Sequence, residues 1–147
     1  MSHSLCKKNS SKRWLCSCHN VTSTVSNKTH GIIGNLNCSS SNIIYICECL
    51  HCSKQYVGKS NGELCVRMKC HRYAINSKVI SSALLMHLLD HTQISKDMSE
   101  TSLEDYDLIP IERLPTTGSY TQDKINRLIR ETFWIDTLGR LELNKKR

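Results

Sequence analysis

The chain has 147 residues, of which 39% are hydrophobic, and a formal net charge of +7. A chain of this length builds one modest core and is too short for two sizeable ones. We find no apolar leader and no run of about 18 apolar residues, so we expect an intracellular protein with no membrane partner. In a reducing compartment the nine cysteines favour free thiols or metal binding over disulfides.

Residues 1–41 are predicted to form a basic, loosely ordered lead-in rich in Ser and Asn, and residues 42–147 a folded domain. Up to residue 42 the segment has five Lys or Arg residues and no Asp or Glu. Such an arm attracts a polyanion like nucleic acid, although a solvated tail has the same composition. Short strands are expected near 14–21 and 30–34. A weak Cys/His grouping (Cys16, Cys18, His19 and Cys38) is a possible second metal cluster.

Two β-rich runs open the predicted domain. "IIYIC" at 43–47 alternates with period two, the polar "CLHCSK" predicts a turn, and "QYVG" at 55–58 predicts a second strand. Together they predict a hairpin. A third strand is expected in "DYDLIPIERL" at 105–114, where Pro110 favours a sheet edge.

Three helices are predicted around these strands. The first, at 63–75 with Asn61 as its cap, places Arg67 and His71 on one face, four residues apart, and has helix thiols at Cys65 and Cys70 that we expect to be buried. A second, at 81–92, carries core leucines. For the third, at 121–138, we expect the apolar residues to face inward: Ile125, Leu128, Ile129, Phe133 and Trp134. The predicted fold class is α+β, with a small antiparallel three-stranded sheet flanked by helices.

The predicted turn also offers metal ligands. Cys49 and Cys52 form a Cys-x-x-Cys pair, and His87 and His91 are spaced to point the same way from one helix. The four residues together predict a structural Zn²⁺ site that ties the hairpin to the second helix and compensates for a small core.

The order of these motifs resembles the GIY-YIG nuclease domain. "IIY" is followed after ten residues by "YVG", then by Arg67 and His71, by Glu131 within "RETFWIDTL", and by Asn144. Ile43 replaces the first glycine of the family's triplet. The cysteines between the two tyrosine motifs are similar to those of the endonuclease of Penelope-like retroelements. A structure-specific nuclease subfamily with a RING-like zinc domain is the alternative.

The resemblance implies an endonuclease that hydrolyses phosphodiester bonds of DNA with Mg²⁺. It implies that Glu131 is the only carboxylate ligand of that Mg²⁺ and that Arg67 clamps the phosphate, a role that suits a permanently charged guanidinium. Tyr45 is implied as general base or water-orienting group with Tyr56 beside it, and His71 as proton relay or phosphate ligand. Asn144 is implied to hold the other polar groups in place.

The implied partners are DNA and, in a longer protein, a reverse transcriptase domain that extends the nicked target. Such a substrate implies a nuclear location. The alternative from another functional class is a catalytically inactive, zinc-stabilised module that binds nucleic acid.

Overall fold

The computed structural model describes residues 20–23, 25–33, 36–90 and 101–138. The strands within them are β1 (Asn20–Thr22), β2 (Thr29–Gly31), β3 (Ile43–Cys49), β4 (Gln55–Ser60) and β5 (Tyr106–Arg113). The helices are α1 (Leu64–Asn76), α2 (Ala83–Asp90) and α3 (Tyr120–Thr137), with a 3₁₀ turn at Leu103–Asp105 before β5. None of these helices is long and apolar enough to cross a membrane.

The main sheet has three antiparallel strands in the order β4-β3-β5. This arrangement confirms the predicted α+β class. The central strand β3 pairs on both sides, so that Tyr45 lies opposite Gly58 of β4 and Pro110 of β5. Pro110 lies on an edge strand, as expected for a residue that cannot donate a ladder hydrogen bond.

Alternation along β3 sends its side chains into two separate apolar clusters. On one face, Ile43 and Tyr45 pack with buried residues of α1 and α2 such as Met68. On the other face, Ile44 and Ile46 belong to the same cluster as residues of α3. The sheet therefore lies between α1 and α2 on one side and α3 on the other.

Residues of the predicted lead-in pack onto this domain. Strands β1 and β2 pair antiparallel, and Val21 is buried in the cluster of the α3 face. The Ser23 hydroxyl donates to the carbonyl of Leu138 at 2.7 Å, and Ile33 forms a parallel bridge with Glu112 beside β5.

The orientation predicted for α3 is wrong for four of its five apolar residues. Only Trp134 is buried, whereas Ile125, Leu128, Ile129 and Phe133 are exposed. The inward face is instead formed by Asp123, Arg127, Glu131 and Trp134. Asp123 accepts hydrogen bonds from Thr117 just before the helix, whereas Arg127 and Glu131 find polar partners in segments distant in sequence, as described below.

The cysteines also depart from expectation at two positions. Cys70 of α1 is exposed rather than buried, and Cys38 is disulfide-bonded. Cys38 is itself buried in the cluster on the α1 and α2 face. The remaining described cysteines, including Cys49 and Cys52, are free thiols.

Candidate functional site

Tyr45 is the central residue of the site, and Gly58 makes the space for it. The Tyr45 side chain is fully buried. A Cβ atom on Gly58 would lie 2.4 Å from both the Cζ and Oη atoms of Tyr45, far closer than any van der Waals contact. The glycine that ends "YVG" is therefore required for the phenol to cross the neighbouring strand.

The Tyr45 hydroxyl joins two side chains of α1. Arg67 Nε donates to Tyr45 Oη at 3.2 Å, and Tyr45 Oη lies 2.7 Å from His71 Nε2. A guanidinium can only donate, so the phenol accepts from Arg67, and we assign the buried phenol proton to His71 Nε2, the other polar side-chain atom within hydrogen-bond distance. This direction assigns His71 the tautomer with its proton on Nδ1.

The protonation states agree with this direction. Burial, followed by the nearby charge of Arg67, lowers the pKa of His71 to about 4, so the ring is neutral at pH 7. Burial raises the pKa of the Tyr45 phenol well above its usual value, and Arg67 only partly offsets this. Burial disfavours the charge on Arg67, but the neighbouring Tyr45, Tyr56 and Cys70 together outweigh it and raise the pKa of the guanidinium.

A cavity of about 350 Å³ opens beside this network. Its wall includes Tyr56, Arg67 and His71, together with Cys70 and with Ser82 at the start of α2. The Tyr56 ring meets the His71 ring edge to face, with centroids 6.3 Å apart. The structure thus brings together four of the expected site residues. Tyr56, Arg67 and His71 line the cavity, and Tyr45 lies behind it, within hydrogen-bond distance of Arg67 and His71.

Glu131 lies against the same edge strand from the other side of the sheet. Glu131 is 2% exposed, and its Oε1 atom is 3.0 Å from the Nζ atom of Lys59. Lys59 follows Gly58 in β4, so the alternation of the strand turns the two residues to opposite faces. Glu131 therefore lies on the face of the sheet opposite to Tyr45 and contacts the edge strand at the residue next to Gly58.

Sequence reasoning missed two charged residues of this region, Lys59 and Arg127. Arg127 lies one turn before Glu131 on the inward face of α3, and its Nη1 donates to the Oδ1 atoms of Asn42 at 2.7 Å and Asn61 at 3.2 Å. Asn61 thus binds Arg127; the N-cap of α1 is Glu63. The i, i+4 spacing of Arg127 and Glu131 was the available signal, because it places both on one helical face.

A second group of ligands lies at the other end of the hairpin. Cys49, Cys52 and His87 each offer one ligand atom, and these three atoms lie within 4.8 Å of one another. Cys52 Sγ is 3.3 Å from His87 Nε2. The three residues are placed to hold one metal ion, and they connect the β3–β4 turn to α2.

The backbone of the turn brings the two thiols together. Cys49 donates from its amide to the carbonyl of Lys54 at 2.9 Å, and Ser53 donates to the carbonyl of Cys49 at 2.8 Å. Ser53 adopts a positive φ of 65°, which reverses the chain directly after Cys52. Burial raises the pKa of the Cys49 thiol, an effect that a bound cation would reverse.

Two of the expected site residues, His91 and Asn144, lie outside the described residues. Their expected roles remain predictions. Comparisons of the chain with models of protein families, with curated proteins and with solved structures found no match.

Proposed function

We propose that the chain is a DNA endonuclease of the GIY-YIG type that hydrolyses a phosphodiester bond with the help of Mg²⁺. The observation that carries this proposal is the chain of hydrogen bonds from Arg67 through Tyr45 to His71 beside an open cavity. Hydrolysis needs a fixed cation for the phosphate, an oriented water and stabilisation of the leaving oxygen. The residues at the cavity are candidates for the first two tasks, and Glu131, on the other face of edge strand β4, is the carboxylate that the resemblance implies for the third.

Arg67 is the proposed phosphate ligand. Its Nε donates to Tyr45 and its side chain lines the cavity, so a phosphate that enters the cavity meets a guanidinium held in place. Its raised pKa keeps it charged at any physiological pH. In this proposal Tyr45 is a positioning residue that fixes the Arg67 and His71 side chains.

The water is oriented by groups on the cavity wall. Tyr56 is partly exposed there, and its phenol oxygen can accept a hydrogen bond from the attacking water, whose proton passes to bulk solvent as the bond to phosphorus forms. Neutral His71 lies edge to face with Tyr56 on the same wall. Tyr45 is fully buried and its phenol stays protonated, which makes it a poor base at neutral pH. We therefore assign contact with the attacking water to Tyr56 and His71.

Glu131 would hold the Mg²⁺. A carboxylate is the ligand class that this cation prefers, and one carboxylate is enough where waters and substrate phosphate oxygens complete the coordination. When bound, the ion stabilises negative charge on the phosphate and on the leaving oxygen. Lys59, now ion-paired with Glu131 at 3.0 Å, would share its charge between the carboxylate and the phosphate.

The metal held at Cys49, Cys52 and His87 is proposed to be Zn²⁺. Two thiolates and an imidazole suit a tetrahedral zinc site, for which the sequence offers His91 as the fourth ligand. In this role zinc is structural, because it fixes the β3–β4 turn against α2.

We further propose DNA as the partner, a reverse transcriptase domain as a partner in a longer protein, and a nuclear location. The formal charge of +7 supports the first of these.

Nicking of supercoiled plasmid in Mg²⁺ tests the nuclease proposal. Arg67→Ala and Glu131→Gln should each abolish nicking. The control is Arg72→Ala: Arg72 lies on the same helix but is paired with Glu104 at 3.1 Å, away from the cavity, so this variant should nick normally. Nicking that survives in both site variants would refute the assignment of the site.

The same experiment separates the nuclease from a binding module. If the unmutated chain retains salt-dependent affinity for DNA but does not nick in Mg²⁺, the inactive zinc-stabilised module becomes the better explanation. The fully buried Tyr45 is the observation that favours that alternative.

A further inference from the structure

The cavity beside α1 has one charged end and one apolar end. Its walls are α1, Tyr56 of β4 and residues 79–84, the segment that leads into α2. Of the ten described residues that line it, Arg67 is the only one with a permanent charge, and His71 is neutral at pH 7. A ligand that matches the cavity therefore has one anionic group and a larger uncharged part.

The two ends are separated along α1. Arg67 and Ala74 are seven residues apart and lie on the same side of the helix, so about 10 Å of helix separates them. The Val79 amide donates to the Ala74 carbonyl at 2.9 Å, which places Val79 at the end of Ala74. Arg67 is thus at one end of the cavity, and aliphatic side chains form the other.

A nucleotide has the same arrangement, because its anionic phosphate is joined through a sugar to a flat, uncharged base. We propose that the cavity takes up one unpaired nucleotide of a DNA strand, with its phosphate at Arg67 and its base against Ala74 and Val79. Enzymes that act on extruded nucleotides hold the base in this way, between apolar side chains. This role of the cavity rests on the proposed nuclease function, and it specifies the substrate of that activity as DNA with an unpaired nucleotide at the point of cleavage.

The start of α2 offers hydrogen bonds for the edge of the base. Ser82 lines the cavity, and its Oγ accepts from the Leu85 amide at 3.2 Å. A hydroxyl that accepts from an amide keeps its own proton, which a carbonyl oxygen or ring nitrogen of a base can accept. Ser81 adds a second, exposed hydroxyl to the same wall. The wall therefore has polar partners as well as apolar carbon for a base.

The size of the cavity selects a single nucleotide. Its volume of about 350 Å³ is near the lower end of the range for pockets that enclose one small ligand, about 300–1,000 Å³. A paired base is held to a second strand and is stacked inside the duplex, so it cannot enter a pocket of this size. Only a base that is unpaired or has left the stack can reach the wall at Ala74.

The charge of the wall also disfavours a continuous duplex. Proteins bind duplex DNA mainly through several cationic side chains on its phosphates, because the backbone is its outer surface. The cavity supplies one such cation, Arg67, and its rim is apolar, since Ile80 lies between Val79 and Ser81 of the wall and is 73% exposed. Single strands are bound by apolar and aromatic surfaces of this kind, because their bases are accessible.

Fluorescence anisotropy of the whole chain, without added Mg²⁺ and without chelator, tests the pocket in the absence of cleavage. The probes are a short single strand of DNA and the same strand annealed to its complement. The unmutated chain should bind the single strand about tenfold more tightly than the duplex. Equal or tighter binding of the duplex overturns the proposal.

Ala74→Phe tests the position of the base, because it fills the apolar end of the cavity and leaves Arg67 in place. It should weaken binding of the single strand about tenfold and leave binding of the duplex unchanged. Val66→Phe is the control and should bind both probes normally, since Val66 is 52% exposed on the same helix but does not line the cavity. Ala83→Phe fills the cavity from the other wall and replaces Ala74→Phe if circular dichroism shows that the first variant is unfolded. A folded filling variant that binds the single strand like the unmutated chain overturns the proposal.

The outcome is separate from that of the nicking assay. Preference for the single strand, and its loss in the filling variant, support the pocket even if the chain does not nick plasmid. Where the chain does nick, supercoiled plasmid should be cut faster than relaxed, covalently closed plasmid, because negative supercoiling favours unpaired bases. Equal rates on the two plasmids overturn the inference and leave the nuclease proposal standing.

Discussion

The substitution Gly58→Ala tests the central contact of the site, because it adds one methyl group where the structure has no room. The new Cβ would lie 2.4 Å from Cζ and Oη of Tyr45, about 1 Å inside ordinary contact. Tyr45 is fully buried in the central strand, so it cannot turn into solvent. The ring or the strand must therefore shift.

The cost has two components that can be separated. Overpacking of a well-packed site costs about 1–3 kcal/mol. Displacing the phenol also weakens its hydrogen bonds with His71 and Arg67, together worth about 1–3 kcal/mol. We expect Gly58→Ala to lower the free energy of unfolding by about 2–6 kcal/mol and to abolish any nicking.

Urea denaturation measures this loss, and Gly62→Ala is the matched control. A Cβ on Gly62 meets no atom within 4 Å, so this variant should change stability by less than about 0.5 kcal/mol. In a Tyr45→Phe background, Gly58→Ala should cost about 1–2 kcal/mol less, because the hydrogen bonds are already absent. Equal stability of the Gly58 and Gly62 variants would refute the reasoning.

Three further predictions concern the charges and the metal. The pKa of His71 is about 4 in the folded chain and about 6.5 in the unfolded chain. The contribution of neutral His71 to the free energy of unfolding is therefore complete above pH 6.5, and about 3 kcal/mol of it is lost as the pH drops towards 4. Denaturation of His71→Asn should lack this pH-dependent loss. Removal of the bound metal with a chelator should lower the melting temperature. Cys49→Ser should reduce the bound metal measured by mass spectrometry, whereas the control Cys70→Ser should not. Lys59→Met should lower the free energy of unfolding by about 2 kcal/mol, because it removes the ammonium group that pairs with the Glu131 carboxylate. In a Glu131→Gln background the same substitution should move the denaturation midpoint much less.

Most of the fold follows from local patterns in the sequence. The period-two run at 43–47 predicted the central strand, and the observed strand extends it to Cys49. The helices at 64–76 and 83–90 lie within one or two residues of the predicted starts. These elements obey their patterns because their apolar faces pack against the sheet, which is the assumption behind periodicity.

Helix α3 shows where that assumption fails. It carries two overlapping stripes, an apolar one through Ile129 and a mixed one through Arg127, Glu131 and Trp134. Periodicity selects the apolar stripe, but the fold buries the mixed one. The partners that make this possible, such as Lys59 and Glu112, come from distant strands, and no local pattern reveals them.

The candidate site was predictable to a similar extent. Four residues predicted from motif order lie together at the hydrogen-bond network and its cavity. The ligand atoms of Cys49, Cys52 and His87 lie within 4.8 Å of one another. Each set was predictable because its members lie on neighbouring strand and helix positions. What the sequence could not provide is the burial of Tyr45. The protonation state of a phenol depends on solvent access, and that access is set by residues packed against it from α1.

The buried polar face of α3 explains how separate parts of the site keep their register. Arg127 binds Asn42, which directly precedes the strand of Tyr45, and Asn61, which directly follows β4 and precedes the helix of Arg67. An apolar contact at this position would tolerate sliding, whereas hydrogen bonds of fixed direction do not. One turn later the same helix presents Glu131 to Lys59. Because its inward face is occupied by these fixed polar contacts, α3 has its apolar residues on the outside.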